Sequence, residues 1–278
     1  MINKLTQNRR NTWLAAGFFL GVLLSPKTSS GQPAFVEQLD QSPRHHEWVE
    51  IESNGRTLYN FVVYPQVSKN TLAVIVIHEN KGLTDWVRLL ADQLAEAGYL
   101  VIAPDLLSGF SEKYKRTGDF PSTDDARNAI YELDAAQVTA DLTAVQNYIK
   151  NLPAANGQTA VAGFCWGGAQ SFRFAADNKE VKAALVFYGS PPESEEDLKR
   201  IEAPVYGFYG EDDQRINATI PSTEKKMQSL GKTYQYEIYP GATHAFMRKG
   251  DEAEGSAEDK AARDAAFARM KTILDGLQ

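Results

Sequence analysis

Stretches of consecutive apolar residues alternate along the chain with segments in which apolar residues recur every three or four positions. A run that is apolar throughout predicts a strand buried on both faces, whereas apolar–polar alternation predicts a strand with one exposed face. Five runs are of the first kind: TLAVIVIHEN (71–80), YLVIAPDLL (99–107), TAVAGF (159–164), KAALVFYG (182–189) and PVYGFYG (204–210). RTLYNFVVYP (56–65) and TYQYEIYP (233–240) alternate, and we expect the second to be an edge strand.

Helices are predicted between these strands and at the end of the chain. Three segments place apolar residues on one helical face: Val87, Leu90 and Leu94; Val138, Leu142, Val145 and Ile149; and Phe267, Met270 and Leu274. Thr84 and Asp134 precede the first two segments as candidate N-terminal caps, and Gly98 is a candidate end of the first helix.

The alternation of strands and helices predicts an α/β fold with a mostly parallel central sheet and helices on both faces. In such sheets ligands bind at the carboxyl ends of the strands, so the residues that follow each strand are the candidates for chemistry. The pattern weakens between 108 and 132, where charges of both signs occur. This segment is predicted to be either a solvated loop or a cap over a site.

The overall composition narrows the possible functions. The chain has 278 residues, 43% of them hydrophobic and 23% charged, which suits one α/β domain. A formal net charge of −7 argues against nucleic acid as a partner, because Lys and Arg side chains must neutralise its phosphates. No cluster of Cys and His has zinc spacing. We therefore expect a monomer that acts on a small molecule without a metal or an organic cofactor.

The first 31 residues differ in composition from the rest of the chain. Lys4, Arg9 and Arg10 precede an apolar run, TWLAAGFFLGVLL (12–24), and small polar residues follow it. This order is typical of a secretory leader, and the run of about 13 residues is shorter than the roughly 20 that span a bilayer. We predict an export segment at 1–31, a domain at 35–278, and a periplasmic or secreted protein. The arginine pair makes the twin-arginine route one candidate, although Trp13-Leu14 follows one place later than that signal prefers, and a membrane-anchored form is the alternative.

The single cysteine, Cys165, lies between the predicted strand 159–164 and a helical pattern. The spacing Gly163-x-Cys165-x-Gly167 is that of a nucleophile elbow, a tight strand-to-helix turn, with cysteine in place of serine. Glycines suit such a turn because its backbone is strained and closely packed. The start of the helix also favours a thiolate. Cys165 is either buried filler or a nucleophile, and its setting favours the nucleophile.

A thiol nucleophile needs a base, and the chain has four histidines. His244 follows the last predicted strand, in YPGATHAFM (239–247), and is the best placed. We expect His45 and His46 at the surface, at the start of the domain, and His78 packed at the end of a strand.

A carboxylate should hold the base in the correct tautomer. The segment YGEDDQRI (209–216) closes a predicted strand and offers Glu211, Asp212 and Asp213 for this role. The chain order of cysteine, acid and histidine is the order found in α/β-hydrolases.

With these residues the sequence closely resembles the dienelactone hydrolase family of α/β-hydrolases, from about His46 to Leu277. The resemblance rests on five stretches in family order: VIHENKGL (76–83), APDLL (103–107), GFCWGG (163–168), FYGEDDQRIN (208–217) and YPGATHAF (239–246). It implies the α/β-hydrolase fold and the hydrolysis of a carboxylic ester or lactone.

The resemblance also implies roles for individual residues. It selects Asp213 as the acid that orients His244, because the family's aspartate precedes an x-Arg-Ile turn. It places Glu79 near the nucleophile, where a carboxylate would hold the resting thiol or accept its proton. The backbone N–H groups of Asn80 and Trp166 would form the oxyanion hole.

The substrate pocket is less well defined by the resemblance. Arg248 matches a family arginine that helps to bind the substrate, and Tyr188 and Lys81 are further candidates for lining the pocket. Ser108 and Gly109 stand where the founding enzymes carry a second arginine, which holds the substrate carboxylate.

We therefore predict a hydrolase that opens a small ester or lactone through a thioester on Cys165. A general carboxylesterase or a thioesterase of the same fold is the alternative within the hydrolases. Two alternatives belong to other classes: a catalytically silent ligand-binding protein and a redox-responsive thiol protein. The absence of a second cysteine argues against the last of these.

Overall fold

The computed structural model describes residues 32–278, and in this range one eight-stranded sheet has the strand order β1-β2-β4-β3-β5-β6-β7-β8. The strands are β1 His45–Ser53, β2 Arg56–Tyr64, β3 Thr71–Ile77, β4 Leu100–Pro104, β5 Ala155–Phe164, β6 Val181–Phe187, β7 Val205–Gly210 and β8 Tyr234–Tyr239. β1 and β2 are antiparallel to their neighbours, and all other pairs are parallel. The predicted parallel sheet is confirmed.

Helices cover both faces of this sheet, as predicted. They are α1 Gln32–Asp40, α2 Asp85–Glu96, α3 Thr123–Glu132, α4 Ala135–Lys150, α5 Trp166–Asp177, α6 Glu195–Arg200, α7 Gln214–Asn217, α8 Ile220–Ser229, α9 Phe246–Asp251 and α10 Ala257–Asp275. α2 and α10 pack on one face and α4 and α5 on the other, so that each face has its own apolar core. None of the helices within 32–278 is long and apolar enough to cross a membrane. The predicted export segment, 1–31, lies outside the described residues and stays a prediction.

The strands predicted to be central are the most buried. Every residue of β3 and β4 is buried, because each strand has neighbours on both sides and helices on both faces. β8 lies at the edge of the sheet and alternates in exposure, as expected. β2 is more buried than its alternating pattern predicted, because β1 lies outside it and forms the opposite edge.

The strand β1 was not predicted, and it changes the expected position of one histidine. His45 is exposed at the start of the strand, as expected. His46 is not a free surface residue, because its Nε2 atom lies 2.7 Å from Oδ1 of the buried Asp92. Ser42 and Arg44 bind the same carboxylate, so this cluster fixes β1 to α2.

The 108–132 segment is folded and attached to the sheet by hydrogen bonds. It is therefore not an open solvated loop, which was one of the two predicted alternatives. Asp105, buried directly after β4, accepts hydrogen bonds from the backbone N–H and the hydroxyl of Thr117, both at 2.7 Å. The Thr117 hydroxyl oxygen also accepts a hydrogen bond from the backbone N–H of Leu83. Burial raises the pKa of Asp105 to about 6, although the two hydrogen bonds from Thr117 act to lower it. The 108–132 segment is therefore held against the carboxyl edge of the sheet.

Replacement of the Thr117 hydroxyl tests this attachment. Thr117→Val should lower the free energy of unfolding by about 1–3 kcal/mol, because Oδ1 of the buried Asp105 loses one of its two donors and keeps only the backbone N–H of Leu107. Urea denaturation measures the change. Thr57→Val is the matched control, since the Thr57 hydroxyl bonds Glu52 at the surface, and it should shift stability by less than about 0.5 kcal/mol. Equal effects of the two variants would contradict the attachment.

Candidate active site

Cys165 lies on a sharp turn between β5 and α5, as the glycine spacing predicted. It is the residue that precedes α5, and its backbone has φ 56° and ψ −115°. A positive φ is costly for a residue with a side chain, and such strain is characteristic of functional positions. The side chain is partly exposed at the carboxyl edge of the sheet, so Cys165 is not buried filler.

The glycines beside Cys165 are required by contact between backbone segments. A Cβ atom on Gly163 would lie 1.9 Å from the carbonyl oxygen of Gly167. A Cβ atom on Gly167 would lie 2.4 Å from the carbonyl oxygen of His78 and 2.5 Å from that of Ile77. The turn therefore fits against the end of β3 only because these two positions lack side chains.

His244 lies between Cys165 and an acid and contacts both. Its Nε2 atom lies 3.2 Å from Sγ of Cys165, and its Nδ1 atom lies 2.5 Å from Oδ2 of Asp213. Asp213 follows β7 and also accepts a hydrogen bond from the backbone N–H of Ile216 in α7. The neighbouring acid Glu211 instead binds the backbone N–H of Gly241. Of the three acids considered from the sequence, Asp213 is the one that forms a hydrogen bond with His244.

These contacts change the protonation of His244. Burial lowers its pKa, but the hydrogen bonds with Asp213 and Cys165 outweigh burial and raise the pKa to about 9. At neutral pH the ring therefore carries a proton on each nitrogen. The Nε2–H group faces the sulfur atom of Cys165 at 3.2 Å and can donate a hydrogen bond to it.

Glu79 is buried near this site, but its partners differ from those expected. Its Oε2 atom accepts a hydrogen bond from Nε of Arg248 at 2.7 Å, and the Tyr188 hydroxyl lies 3.5 Å from Oε1. No hydrogen bond joins Glu79 to Cys165 within residues 32–278, because Arg248 holds the carboxylate while His244 holds the sulfur. The expected contact with the thiol is thus not formed in this conformation.

Arg248, expected to bind the substrate, is already paired with two carboxylates. Besides Glu79 it binds Glu252, four residues later, at 2.5 Å. The sequence reasoning missed Glu252, although its i, i+4 spacing from Arg248 was available as a signal. An acidic group of a substrate would have to compete with both carboxylates for this guanidinium.

Tyr188, a candidate for lining the substrate pocket, is fully buried and lies close to both Glu79 and His244. Its ring packs edge-on against the ring of His244 at a centroid distance of 5.1 Å. Burial raises its pKa well above the usual range, so the hydroxyl keeps its proton and can donate to Glu79. Its φ of 41° is a second strained backbone position beside Cys165.

The two backbone N–H groups predicted for the oxyanion hole belong to Asn80 and Trp166. Neither donates a hydrogen bond to any other residue in the described part of the chain. Asn80 uses its side-chain amide to bind the hydroxyl of Tyr131, in α3, at 3.0 Å. The Trp166 ring packs against the apolar cluster that α3 forms with the end of β4.

Lys81, the last predicted site residue, is half-buried and borders a cavity of about 350 Å³. The cavity lies between the start of α2 and the 108–132 segment. Its lining also includes Leu83, Thr84, Asp85, Thr117, Gly118, Phe120, Pro121, Ser122, Thr123 and Ala126. Neither Glu79 nor any of Cys165, Asp213 and His244 lines this cavity, so no lining residue connects it to the sulfur atom.

A nucleophile on a strained strand-to-helix turn, followed along the chain by an acid and a histidine at later strand ends, is the arrangement of α/β-hydrolases. The sheet order and the positions of the helices agree with this class. The fold and the site together therefore define an α/β-hydrolase.

The chain belongs to the dienelactone hydrolase family, whose model matches residues 59–277. This family is one of carboxylic ester hydrolases. A protein of Methylorubrum extorquens assigned as a carboxymethylenebutenolidase is 32% identical over 191 residues, which cover 62% of this chain and 62% of that protein. A Saccharolobus solfataricus protein with the same assignment is 27% identical over 259 residues, which cover 80% of this chain and 95% of the relative.

Solved structures agree with this family. A Klebsiella pneumoniae protein solved as a dienelactone hydrolase superposes with a TM-score of 0.71 at 26% identity. The match covers 82% of this chain and 96% of that protein. The expected family and fold are thereby confirmed.

Gly167→Ala should disable the site by pushing the nucleophile turn away from β3. We expect a loss of about 1–3 kcal/mol in unfolding free energy from overpacking, and at least a 100-fold loss of ester hydrolysis from displaced groups. Gly276→Ala is the control, because its Cβ atom would meet nothing closer than 3.4 Å. Urea denaturation and ester hydrolysis measure both effects, and wild-type behaviour of Gly167→Ala would show that the packing is not limiting.

Proposed function

We propose that this protein hydrolyses small carboxylic esters or lactones through a thioester intermediate on Cys165. The observation that carries the proposal is the continuous contact from Asp213 through His244 to the sulfur atom, with distances of 2.5 Å and 3.2 Å. Membership of the dienelactone hydrolase family supports the ester or lactone as the substrate class.

In the first half of the reaction the thiolate of Cys165 attacks the acyl carbon. The carbonyl oxygen becomes an oxyanion, which the free N–H groups of Asn80 and Trp166 would stabilise. The C–O bond to the leaving group then breaks. His244, protonated at neutral pH, gives its Nε2 proton to the departing alkoxide, and a thioester remains on Cys165.

In the second half of the reaction His244 is neutral and acts as a base. It takes a proton from water, whose oxygen attacks the thioester carbonyl carbon. The tetrahedral intermediate collapses, the C–S bond breaks, and the acid is released while the thiolate and the imidazolium are restored. Asp213 holds Nδ1–H throughout and stabilises the cation.

Glu79 would act on the resting thiol in this proposal. Its carboxylate is held by Arg248 while the sulfur is held by His244, and this is the arrangement needed for attack. Rotation of the Cys165 side chain away from His244 would bring the thiol to the Glu79 side, where it would be protected between turnovers. Tyr188 separates the two positions and contacts both Glu79 and His244.

A general carboxylesterase activity on uncharged esters is a second candidate, and the state of Arg248 favours it. A dienelactone-type substrate presents a carboxylate, yet Arg248 is already neutralised by Glu79 and Glu252. The position of the second family arginine is occupied by Ser108 and Gly109. An uncharged acyl group therefore suits this pocket at least as well as an acidic one.

Removal of the nucleophile tests the reaction. Cys165→Ala should lower kcat by at least about 1,000-fold on an aryl ester, an unsaturated lactone or an acyl thioester, because the remaining groups cannot form the acyl-enzyme. The preferred substrate of the wild-type protein identifies the substrate class. Circular dichroism of the variant checks its fold. Undiminished turnover in Cys165→Ala would exclude the mechanism, and ligand binding without turnover by the wild-type protein would indicate a silent binding protein.

The pKa of His244 predicts different pH profiles for two kinds of ester. For an alkyl ester kcat/KM should fall above about pH 9, because neutral His244 has no Nε2 proton for the alkoxide. For a p-nitrophenyl ester the decline should be smaller, because the phenolate leaves without a proton. Initial rates between pH 6 and 10.5 measure both profiles. A steady rise for the alkyl ester up to pH 10 would contradict a protonated resting His244.

A further inference from the structure

His78 is a fully buried histidine that the reaction proposed above does not use. It directly follows β3, in the row of strand ends that also carries Cys165 and Asp213. A buried polar ring normally has defined hydrogen-bond partners, and one partner of this ring, the Glu79 carbonyl, shares a peptide group with a proposed oxyanion donor, the Asn80 N–H.

Both ring nitrogens of His78 are engaged. Nδ1 lies 2.8 Å from the carbonyl oxygen of Glu79, and Nε2 lies 3.3 Å from the backbone nitrogen of Leu106, after β4. A carbonyl oxygen only accepts and a backbone N–H only donates, so Nδ1 carries the proton and Nε2 accepts. Burial lowers the pKa of His78 to about 4, which keeps the ring in this neutral form.

The first contact controls the direction of one oxyanion donor. The carbonyl of Glu79 and the N–H of Asn80 belong to the same peptide group. In a trans peptide these two bonds point in opposite directions within one rigid plane. The Nδ1–H group of His78 therefore fixes the Asn80 N–H by holding the other side of its peptide plane. The backbone N–H of Gly82 holds the same carbonyl from farther away, at 3.4 Å.

The ring of His78 also touches the second donor's residue. It stacks on the Trp166 indole with an interplanar angle of 13° and a centroid distance of 5.5 Å. Its own carbonyl oxygen lies against Gly167, where a Cβ atom would be 2.4 Å away. The start of α5, which supplies the Trp166 N–H, is thus packed directly on His78.

We propose that His78 is a positioning residue that aims both N–H groups of the oxyanion hole, those of Asn80 and Trp166. This inference rests on the proposed function, since an oxyanion hole has a role only in acyl transfer. His78 does not touch the reacting atoms, and it acts through the two peptide groups that do.

Two substitutions separate its hydrogen bonds. In His78→Asn the side-chain amide places an N–H donor near the position of Nδ1, whereas in His78→Gln it places an acceptor near the position of Nε2. Both variants lose the stacked ring, so the direction of their difference reports which hydrogen bond matters more, the donor to Glu79 or the acceptor for the Leu106 N–H. His45→Gln, at the exposed start of β1, is the matched control and should behave as the wild-type protein.

Two reactions of Cys165 provide the measurement. Hydrolysis of p-nitrophenyl acetate passes through an oxyanion, whereas alkylation by iodoacetamide needs only the thiolate and forms no oxyanion. His78→Gln should lose about 100-fold in kcat with KM within about 3-fold, because the donors act only in the transition state. His78→Asn should lose about 10-fold or less. The alkylation rate should stay within about 2-fold of the wild-type rate in both variants.

Four results would overturn the inference. Equal kcat values in His78→Asn and His78→Gln would show that the donor to Glu79 is immaterial. A parallel loss of hydrolysis and alkylation would show general damage to the site. Failure of the wild-type protein to hydrolyse any ester while Cys165 is still alkylated would overturn the proposed function, and this inference with it. Wild-type turnover with a fully active His78→Gln would overturn the inference alone.

Discussion

The site depends on one backbone constraint, the strained turn at Cys165. The residue has φ at 56° at the point where the chain turns from β5 into α5. The strain is tolerated because the turn is enclosed on several sides: by the end of β3, by β6, and by its own helix. Removal of any one of these supports would let the turn relax and move the sulfur.

Strain of the same kind occurs at other residues around the sulfur. Four non-glycine residues within 32–278 have positive φ, and three of them, Cys165, Tyr188 and Ala245, lie at the site. Tyr188 directly follows β6, and Ala245 directly follows His244. Each strained residue therefore lies where a strand end or a loop brings a side chain close to the sulfur atom of Cys165. The surrounding core supplies the stability that such conformations cost.

The sequence was sufficient for those parts of the structure that depend on local pattern. The all-apolar run of β3 and the glycines around Cys165 could be interpreted directly. A strand buried on both faces requires apolar residues throughout, and close backbone contact requires glycine, and few other structures need either pattern. The position of His244 followed from the chain order of the fold.

Long-range pairing could not be predicted in the same way. The sequence separates Glu79 from Arg248 by 169 positions, and nothing local indicates that they form an ion pair. The pairing of His46 with Asp92 was missed for the same reason. The 108–132 segment appeared irregular because its charges face solvent, while the buried apolar residues of α3, Ala126, Ala129 and Ile130, are few.

The 108–132 segment contacts Trp166 and Asn80, the two residues whose N–H groups are proposed to stabilise the oxyanion. These contacts link the shape of the substrate pocket to the proposed chemistry. Trp166, whose N–H is one of the two proposed oxyanion donors, also packs against the cluster formed by α3 and Leu107. Asn80 supplies the second N–H, and its side chain binds Tyr131 of α3. A change in the 108–132 segment made to admit a larger substrate would therefore also shift the residues that carry the oxyanion donors. Such a change should act on kcat as well as on KM, because the same contacts shape the pocket and aim the catalytic groups.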